Sequence, residues 1–216
     1  MSSEIKYKIS NIPVVYEDDW LMVIDKPAGL ITIPSPKKET RTLTSILNEE
    51  LKQQGLSYRL HPCHRLDRDT SGLIIYAKGK SSQKKMMQEF KFHRVKKFYL
   101  AFAHGRVSEN SGEIKQAIEE RQALTRFRTL ERRKGFSIME VMPLTGRKNQ
   151  IRLHFRSIGH PLVGETRFVF RRHYSLRFKR ICLHAQRLEF AHPVTRKTIS
   201  VEARIPEDME QFLKKN

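Results

Sequence analysis

The chain has 216 residues, 38% of them hydrophobic and 30% charged, which is enough to bury a core in one large or two small domains. No apolar run approaches the roughly 20 residues that span a bilayer. The N-terminal sequence MSSEIKYKISNIP lacks the apolar core of a secretory signal. Cys63 and Cys182 are too few for a disulfide framework. These features exclude a membrane-spanning or disulfide-stapled protein and lead us to expect a cytoplasmic one with reduced thiols.

Charge is the strongest compositional signal. Lysine and arginine together number 42 against 23 acidic residues, which gives a formal net charge of +19. A compact domain with this surplus repels itself, so an anionic partner is expected. Nucleic acid fits best, because each neutralised phosphate releases a counterion. A solvated basic surface without a ligand is the alternative. A membrane surface is disfavoured because no long basic amphipathic helix is evident.

The first half of the chain predicts strands and two helices. The acidic turn Glu17-Asp18-Asp19 separates two apolar strands, and Lys26-Pro27-Ala28-Gly29 ends the second. A helix is predicted where four leucines and isoleucines share one face before Gly55. In the second helix we expect Met86, Met87 and Phe90 to face inward. The predicted elements are strands 14–16 and 21–24, helix 42–54, strand 73–77 and helix 81–92.

The second half predicts mainly strands, spaced by polar turns as in an antiparallel meander. Residues 150–158 are ambiguous, because their apolar positions fit either a strand or a helix. Strands are predicted at 98–103, 123–130, 136–141, 181–190 and 197–203, with a helix after Pro206. Strands and helices segregate, which indicates an α+β fold with a mixed, largely antiparallel sheet and flanking helices. With no repeat or linker, we expect one domain, residues 13–216, after an N-terminal extension, residues 1–12.

Residues 61–72, HPCHRLDRDTSG, are dense in reactive side chains. His61, Cys63 and His64 could seed a metal site, but apart from Cys182 and His184 no partner pair at ligand spacing follows, so no metal is predicted. A nucleophilic Cys63–His64 pair is weak, because sequence neighbours rarely point the same way.

Asp67 offers a third interpretation. Arg65 and Arg68 flank it and keep its carboxylate ionised, and the small residues after it allow a tight turn beside a bulky ligand. An ionised carboxylate can act as a nucleophile toward a sugar or an electron-poor ring. The competing interpretation is a surface turn in which Asp67 and Asp69 merely pair with the arginines. The local pattern leaves both open.

Residues 64–72, HRLDRDTSG, resemble the signature of the RluA-type RNA pseudouridine synthases. The resemblance implies that Asp67 is the catalytic residue and that Arg65 helps to push the target uridine out of its stack. Residues 97–101, KFYLA, are similar to the motif whose tyrosine stacks on the target base, here Tyr99. Residues 143–152, PLTGRKNQIR, are similar to the motif whose last arginine, here Arg152, pairs with the catalytic aspartate, which implies that the ambiguous segment is helical.

Two further stretches follow the same family order, residues 15–30 with the Lys-Pro-Ala-Gly turn and the closing strands from Leu183 to Pro193. Three positions depart from the family pattern: Asn149 stands for the more frequent histidine, Glu165 for aspartate, and Phe168 near a common tyrosine. None of them removes a catalytic group.

The resemblance implies that uridines in ribosomal RNA, transfer RNA or both are isomerised to pseudouridine. This reaction involves no redox change and loses no group, so no cofactor is expected. Asp67 could attack the ring, attack the sugar or remove a sugar proton. The rival interpretations are a catalytically idle RNA-binding or ribosome-assembly protein on the same fold, and a nuclease or glycosidase, which would need a second carboxylate.

RNA selection must come from the loops of the catalytic domain, because only about a dozen residues precede the first motif, too few for a module. No obligate protein partner is implied, and a monomer is expected. The candidate RNA-gripping loop is the basic stretch 167–180. We expect at least half of its aromatic residues, Phe168, Phe170, Tyr174 and Phe178, to pack rather than bind. Its candidate RNA contacts are Arg167, Arg171, Arg172, Arg177, Lys179 and Arg180.

Overall fold

The computed structural model describes residues 7–34, 40–169, 174 and 176–216. The chain divides into two compact units, the first made of Met1–Val95 and Ala185–Arg204, the second of Lys96–His184 and Ile205–Asn216. The fold is α+β, as predicted. The elements in chain order are β1 Tyr7–Ile9, β2 Ile12–Glu17, β3 Leu21–Lys26, α1 Leu43–Gln53, β4 Leu60–Pro62, β5 Ser71–Lys78, α2 Gly79–Lys91, β6 Lys96–His104, β7 Ser111–Lys115, β8 Leu124–Arg133, β9 Phe136–Pro143, α3 Gln150–Ser157, β10 Leu183–Ala191, β11 Thr198–Glu202 and α4 Glu207–Lys215.

The first unit is a sheet covered by a helix on each face. Its strands run in the order β1-β2-β3-β5-β10, with β4 also paired to β5 and β11 to β10. Successive side chains of a strand point to opposite faces. Ile74 and Tyr76 of β5 therefore pack with α1, while Leu73 and Ile75 pack with Met86 of α2. A strand buried on both faces holds its ends firmly, and the loop before β5 carries Asp67.

Helix α1 begins where its sequence provides a cap. The Thr42 side chain accepts a hydrogen bond from the backbone N–H of Ser45 at 3.1 Å. The Ser45 hydroxyl accepts one from the backbone N–H of Thr42 at 2.8 Å. This reciprocal pair satisfies two of the N–H groups that a helix start leaves without partners. Gly55, with a φ of 74°, follows the helix end.

The second unit is built on the antiparallel meander β6-β9-β8-β7. Phe102 and Phe136 pack against Phe212 of α4, with ring centroids 5.8 and 5.3 Å from it. Helix α3 lies against β8 through Phe155, whose ring centroid is 5.8 Å from that of Phe127. Gln150 fixes the start of α3, because its amide donates to the Leu124 carbonyl and to the Thr125 hydroxyl.

The predicted helices are all present, and the ambiguous segment is helix α3, as the resemblance implied. Some details differ from prediction. Strands β1, β4 and β7 were not predicted: β1 and β4 have only three residues each, and the sequence SGEIK of β7 buries only Ile114, so no apolar alternation signals it. Met87 was expected to face inward but is 46% exposed, because neighbours in a helix point about 100° apart and Met86 already occupies the buried face.

Residues 7–9 of the proposed N-terminal extension form β1, paired with β2 in the first unit. The boundary between residues 12 and 13 stays a prediction. Within the described ranges, no helix combines the length and the apolar character that crossing a membrane requires.

The close approach of β5 to β10 gives a test of the first unit. Gly72 has a φ of 114°, and a Cβ on it would lie 2.3 Å from the carbonyl oxygen of Ala185. We expect Gly72→Ala to lower the free energy of unfolding by about 3 kcal/mol or more, because strain and a backbone clash add. Urea denaturation measures the effect. Gly55→Ala is the control: its φ is also positive, but its Cβ meets nothing within 4 Å, so only about 1 kcal/mol is expected. Equal losses would contradict the clash.

Candidate active site

Asp67 lies in the loop between β4 and β5, and the residue before it is fixed by a buried threonine. The Thr32 hydroxyl donates to the Leu66 carbonyl at 3.1 Å and accepts from the Leu66 backbone N–H at 3.3 Å. Thr32 is 2% exposed and Leu66 is 5% exposed. One hydroxyl therefore satisfies both backbone groups of Leu66 and sets the course of the chain into Asp67.

The residue after Asp67 is fixed by the Lys-Pro-Ala-Gly turn. The Arg68 carbonyl accepts hydrogen bonds from the Gly29 backbone N–H at 2.8 Å and from the Lys26 ammonium at 3.1 Å. The same ammonium donates to the Pro27 carbonyl at 2.8 Å and the Leu30 carbonyl at 2.7 Å. Lys26 is fully buried, and its three N–H donors match three carbonyl acceptors. The turn and the loop are thus joined by a buried cation.

The first two residues of the loop, Cys63 and His64, form hydrogen bonds with the backbone of β5. Cys63 donates its N–H to the Ile75 carbonyl at 2.9 Å, and Nε2 of His64 accepts from the Ile75 N–H at 3.0 Å. Burial raises the pKa of the Cys63 thiol to about 12, so little thiolate forms at neutral pH. These contacts give Cys63 and His64 structural roles and count against a nucleophilic pair.

Asp67 itself is presented to solvent. It is partly exposed between the buried residues Leu66 and Thr70, and its own carbonyl accepts from the Thr70 N–H at 3.2 Å. Within the described part of the first unit, no side chain forms an ion pair or hydrogen bond with the Asp67 carboxylate, and Arg65 is exposed. The surface-turn interpretation predicts such a pair for Asp67. A carboxylate with acceptor capacity left, on a loop fixed at both ends, is instead suited to a ligand.

In the second unit, Tyr99 and Arg152 lie on regular elements. Tyr99 is on β6, opposite Val141 of β9, and is 9% exposed. Arg152 is on α3, one turn after Asn149, whose φ of 54° places it in the left-handed region. Both side chains are therefore held by rigid backbone rather than by a loop.

Arg152 forms a bidentate ion pair with Glu165. Its Nε donates to Oε2 of Glu165 at 2.7 Å and its Nη2 to Oε1 at 2.9 Å. Its Nη1 donates to Oδ1 of Asn149 at 3.0 Å. The arginine side chain is 10% exposed and the glutamate side chain 0%. These bonds use three of the five guanidinium N–H groups, which leaves two for a further acceptor.

The motif resemblance implies no role for Glu165. Burial raises the pKa of its carboxyl group, but the hydrogen bonds and charge of Arg152, with the backbone N–H groups of Arg167 and Phe168, outweigh burial and lower it. The ring of Phe168 lies 4.7 Å from the Arg152 guanidinium carbon. The one sequence signal for this ion pair was a carboxylate directly after Gly164, 13 residues beyond Arg152. Two of the three departures from the family pattern, Glu165 and Asn149, are thus the side chains that hydrogen-bond to Arg152.

The basic stretch 167–180 is only partly within the described residues. Arg167, Arg177 and Lys179 are exposed. Arg180 is 8% exposed, and it forms a bidentate pair with Asp208 at 2.7 and 2.8 Å, so it is engaged inside the protein. Arg171, Arg172 and Phe170 lie outside the described residues.

Two aromatic residues of this stretch pack inside the second unit. The ring of Phe178 lies 5.4 Å from Phe212, and that of Tyr174 lies 4.5 Å from His104.

Among the described residues, no group of three or more His, Cys, Asp and Glu side chains is placed to hold a metal ion.

The model of the RNA pseudouridylate synthase family matches residues 20–157, a range that includes Asp67, Tyr99 and Arg152. The chain therefore belongs to this family of RNA-modifying isomerases. It is 33% identical, over 94% of its length and 72% of the relative's, to the uncharacterized RNA pseudouridine synthase YlyB of Bacillus subtilis.

Two other relatives carry more specific names. The chain is 33% identical to the ribosomal large subunit pseudouridine synthase D of Neisseria meningitidis serogroup A, over 94% of this chain and 60% of that one. It is 29% identical to the dual-specificity RNA pseudouridine synthase RluA of Haemophilus influenzae, over 89% and 93%. The fold resembles that of human RNA pseudouridylate synthase domain containing 4, with a TM-score of 0.76 and 21% identity over 93% of this chain and 91% of that one.

The anchor before Asp67 can be tested with a matched control. Thr32→Val removes the hydroxyl bound to Leu66, and we expect a stability loss of about 1–2 kcal/mol together with a fall in pseudouridine formation per folded molecule, because the loop gains freedom. Ser137→Ala is the control: its buried hydroxyl likewise accepts from one backbone N–H, that of Val107, and donates to one carbonyl, that of Gly105. It should cost similar stability without the loss of activity. Equal activity losses would show that the Thr32 bond has no particular link to the site.

The ion pair of Arg152 predicts a pH-dependent stability. At pH 7 we expect Glu165→Gln to destabilise the protein by about 3 kcal/mol, because a buried guanidinium loses its counter-ion. The pKa of Glu165 is lowered on folding, so its contribution is present above its unfolded pKa and is lost as pH falls through the lower folded value. The difference between wild type and variant, measured by thermal melts, should therefore shrink at acid pH. Glu140→Gln, which breaks an exposed pair with Arg128, should cost under about 1 kcal/mol.

Proposed function

We propose that this protein converts specific uridines in ribosomal RNA, transfer RNA or both to pseudouridine, with Asp67 as its catalytic residue. The observation that carries the proposal is the Asp67 carboxylate, partly exposed on a loop whose neighbouring residues are fixed by Thr32 and Lys26. A relative named for the ribosomal large subunit supports ribosomal RNA as a substrate, and another named for dual specificity supports more than one kind of RNA substrate.

The reaction needs a carboxylate beside the junction of base and sugar. The bond from the ribose C1′ to uracil N1 breaks, and a bond from C1′ to C5 of the same ring forms. The C5 hydrogen leaves as a proton and N1 gains one, so atoms and electrons balance without a cofactor. Asp67 serves by attacking the sugar or the ring, or by removing a sugar proton, and the fixed loop reduces the entropy cost of aligning it.

The other site residues take the roles that the resemblance implies. Arg152 is the cationic partner of the catalytic carboxylate; its two remaining N–H groups support this role, because Glu165 and Asn149 fix the guanidinium without using all its donors. Tyr99 stacks on the target base, an interaction of about 1–3 kcal/mol in RNA recognition. Arg65, exposed two residues before Asp67, helps to extrude the uridine.

The net charge of +19 attracts the phosphates of RNA. Arg167, Arg177 and Lys179 are the exposed cations of the basic stretch and are proposed to contact phosphates. Arg180 is excluded from this set, since RNA contact would require breaking its pair with Asp208. We propose that the protein acts on these RNAs in the cytoplasm and does so as a monomer.

Asp67→Asn tests the catalytic assignment. Pseudouridine is mapped by chemical labelling on total RNA from cells that lack the gene and carry either the wild-type or the variant gene. Wild type should restore one or a few sites, and Asp67→Asn should reduce the rate at those sites by about a hundredfold or more, as expected for loss of a group that reacts directly. RNA affinity and the thermal midpoint should hardly change.

Asp69→Asn is the control, because Asp69 is an exposed carboxylate on the same loop. It should retain activity. A map that is identical with and without the gene would favour an idle RNA-binding protein, and turnover by the Asp67→Asn variant would exclude Asp67 as the catalytic residue.

A further inference from the structure

Helix α2 and the turn after it carry a basic surface that has no part in the site described above. We call it the α2 surface. Its residues are exposed, and no exposed acidic side chain occurs between Gly79 and Val95. It comprises Lys80, Lys84, Lys85, Lys91, Phe92, His93, Arg94 and, from the turn between β10 and β11, Arg196.

The one carboxylate of this stretch, Glu89, is turned inward and is 4% exposed. Its Oε1 lies 3.1 Å from Nη1 of Arg196 and 3.7 Å from Nη1 of Arg94. Both arginine side chains remain more than half exposed, at 67% and 58%. A single buried carboxylate thus orients two arginines side by side and leaves a surplus positive charge at the surface.

An exposed aromatic ring lies beside these cations. Phe92 is 58% exposed, and the guanidinium carbon of Arg94 lies 5.0 Å from its ring centroid. His93, which lies between them just after the end of the helix, has a φ of 54° in the left-handed region. An aromatic side chain left in water next to arginine is the arrangement on which unpaired bases stack.

We propose that the α2 surface binds the RNA substrate away from the target uridine, with phosphates on its lysines and arginines and an unpaired base on Phe92. The proposal rests on the proposed function, which supplies the RNA. Lys80 and Lys91 are 11 helix residues apart, about 16 Å, which suits an extended polyanion better than a single anionic group. The absence of exposed carboxylates from residues 79–95 favours a uniformly anionic partner over a protein, whose surfaces mix both signs of charge.

The experiment measures binding of two fluorescent probes, a 12-nucleotide oligouridylate and a 12-base-pair RNA duplex, by anisotropy over a salt series. Phe92→Ala should weaken oligouridylate binding about five- to tenfold through lost stacking and leave duplex binding unchanged. Lys84→Gln should weaken both probes and reduce the magnitude of the salt slope for oligouridylate by about 0.7. The controls are Leu56→Ala and Lys52→Gln, which remove an exposed leucine and an exposed lysine near the end of α1. They should bind as wild type does.

Wild-type affinity in both Phe92→Ala and Lys84→Gln would overturn the proposal. A loss in Lys84→Gln alone would also overturn it, in favour of a surface that attracts RNA only by charge. Displacement of oligouridylate from wild type by polyglutamate at equal charge concentration, abolished by Lys84→Gln, would point instead to an acidic protein. Thermal melts confirm that each variant is folded. Since binding needs no turnover, wild-type protein that binds both probes but forms no pseudouridine would refute the proposed function and leave this result intact.

Discussion

The buried ammonium of Lys26 is the contact on which the arrangement of the first unit depends. A charge removed from water is costly unless it is fully hydrogen-bonded, and Lys26 meets this condition with the carbonyls of Pro27, Leu30 and Arg68. Two of these acceptors lie in the neighbouring turn and the third lies in the loop of Asp67. Displacement of the loop would remove one acceptor from a buried cation, so the loop position is fixed energetically. Thr32 fixes the other side of Asp67 at Leu66, and the carboxylate between them needs no partner of its own to remain in place.

Arg152 in the second unit is likewise a buried cation that is held by hydrogen bonds. Its guanidinium is buried, and Glu165 and Asn149 hold it in one orientation. Glu165 is in turn held by two backbone N–H groups, so the pair does not rely on flexible side chains alone. A cation fixed before substrate arrives needs little reorganisation during reaction, which is the condition under which electrostatic stabilisation is most effective.

The sequence predicts the helices and most strands, but not the contacts that hold the site residues. Helices are recovered where apolar residues share one face, as in α1, and strands where an apolar run is bounded by turns. An edge strand with one buried residue, around Ile114, gives no such pattern. The motif resemblance indicates Asp67, Tyr99 and Arg152 as site residues, but it does not indicate what holds them. Lys26 and Arg68 are 42 residues apart and Arg152 and Glu165 are 13 apart. Contacts between residues that are distant in sequence depend on the folded backbone, so local sequence patterns do not predict them. The burial of Arg180 was missed for the same reason, because its partner Asp208 lies in the last helix.

How the net charge of +19 is distributed over the surface depends on where the carboxylates lie. On the meander of the second unit, the exposed arginines Arg126 and Arg128 are each paired with a glutamate at the surface, Glu113 and Glu140. Lys115 also lies 2.9 Å from Glu113, so the Arg128–Glu140 pair is the nearly neutral one of the two. On the α2 surface the carboxylate is buried, and the two arginines that it orients remain exposed. Within a Debye length, about 8 Å at physiological salt, a polyanion would meet partly exposed carboxylates beside the arginines of the meander, but on the α2 surface it would meet a carboxylate that is only 5% exposed. Charge composition alone cannot distinguish the two surfaces, whereas the orientation of Glu89 does.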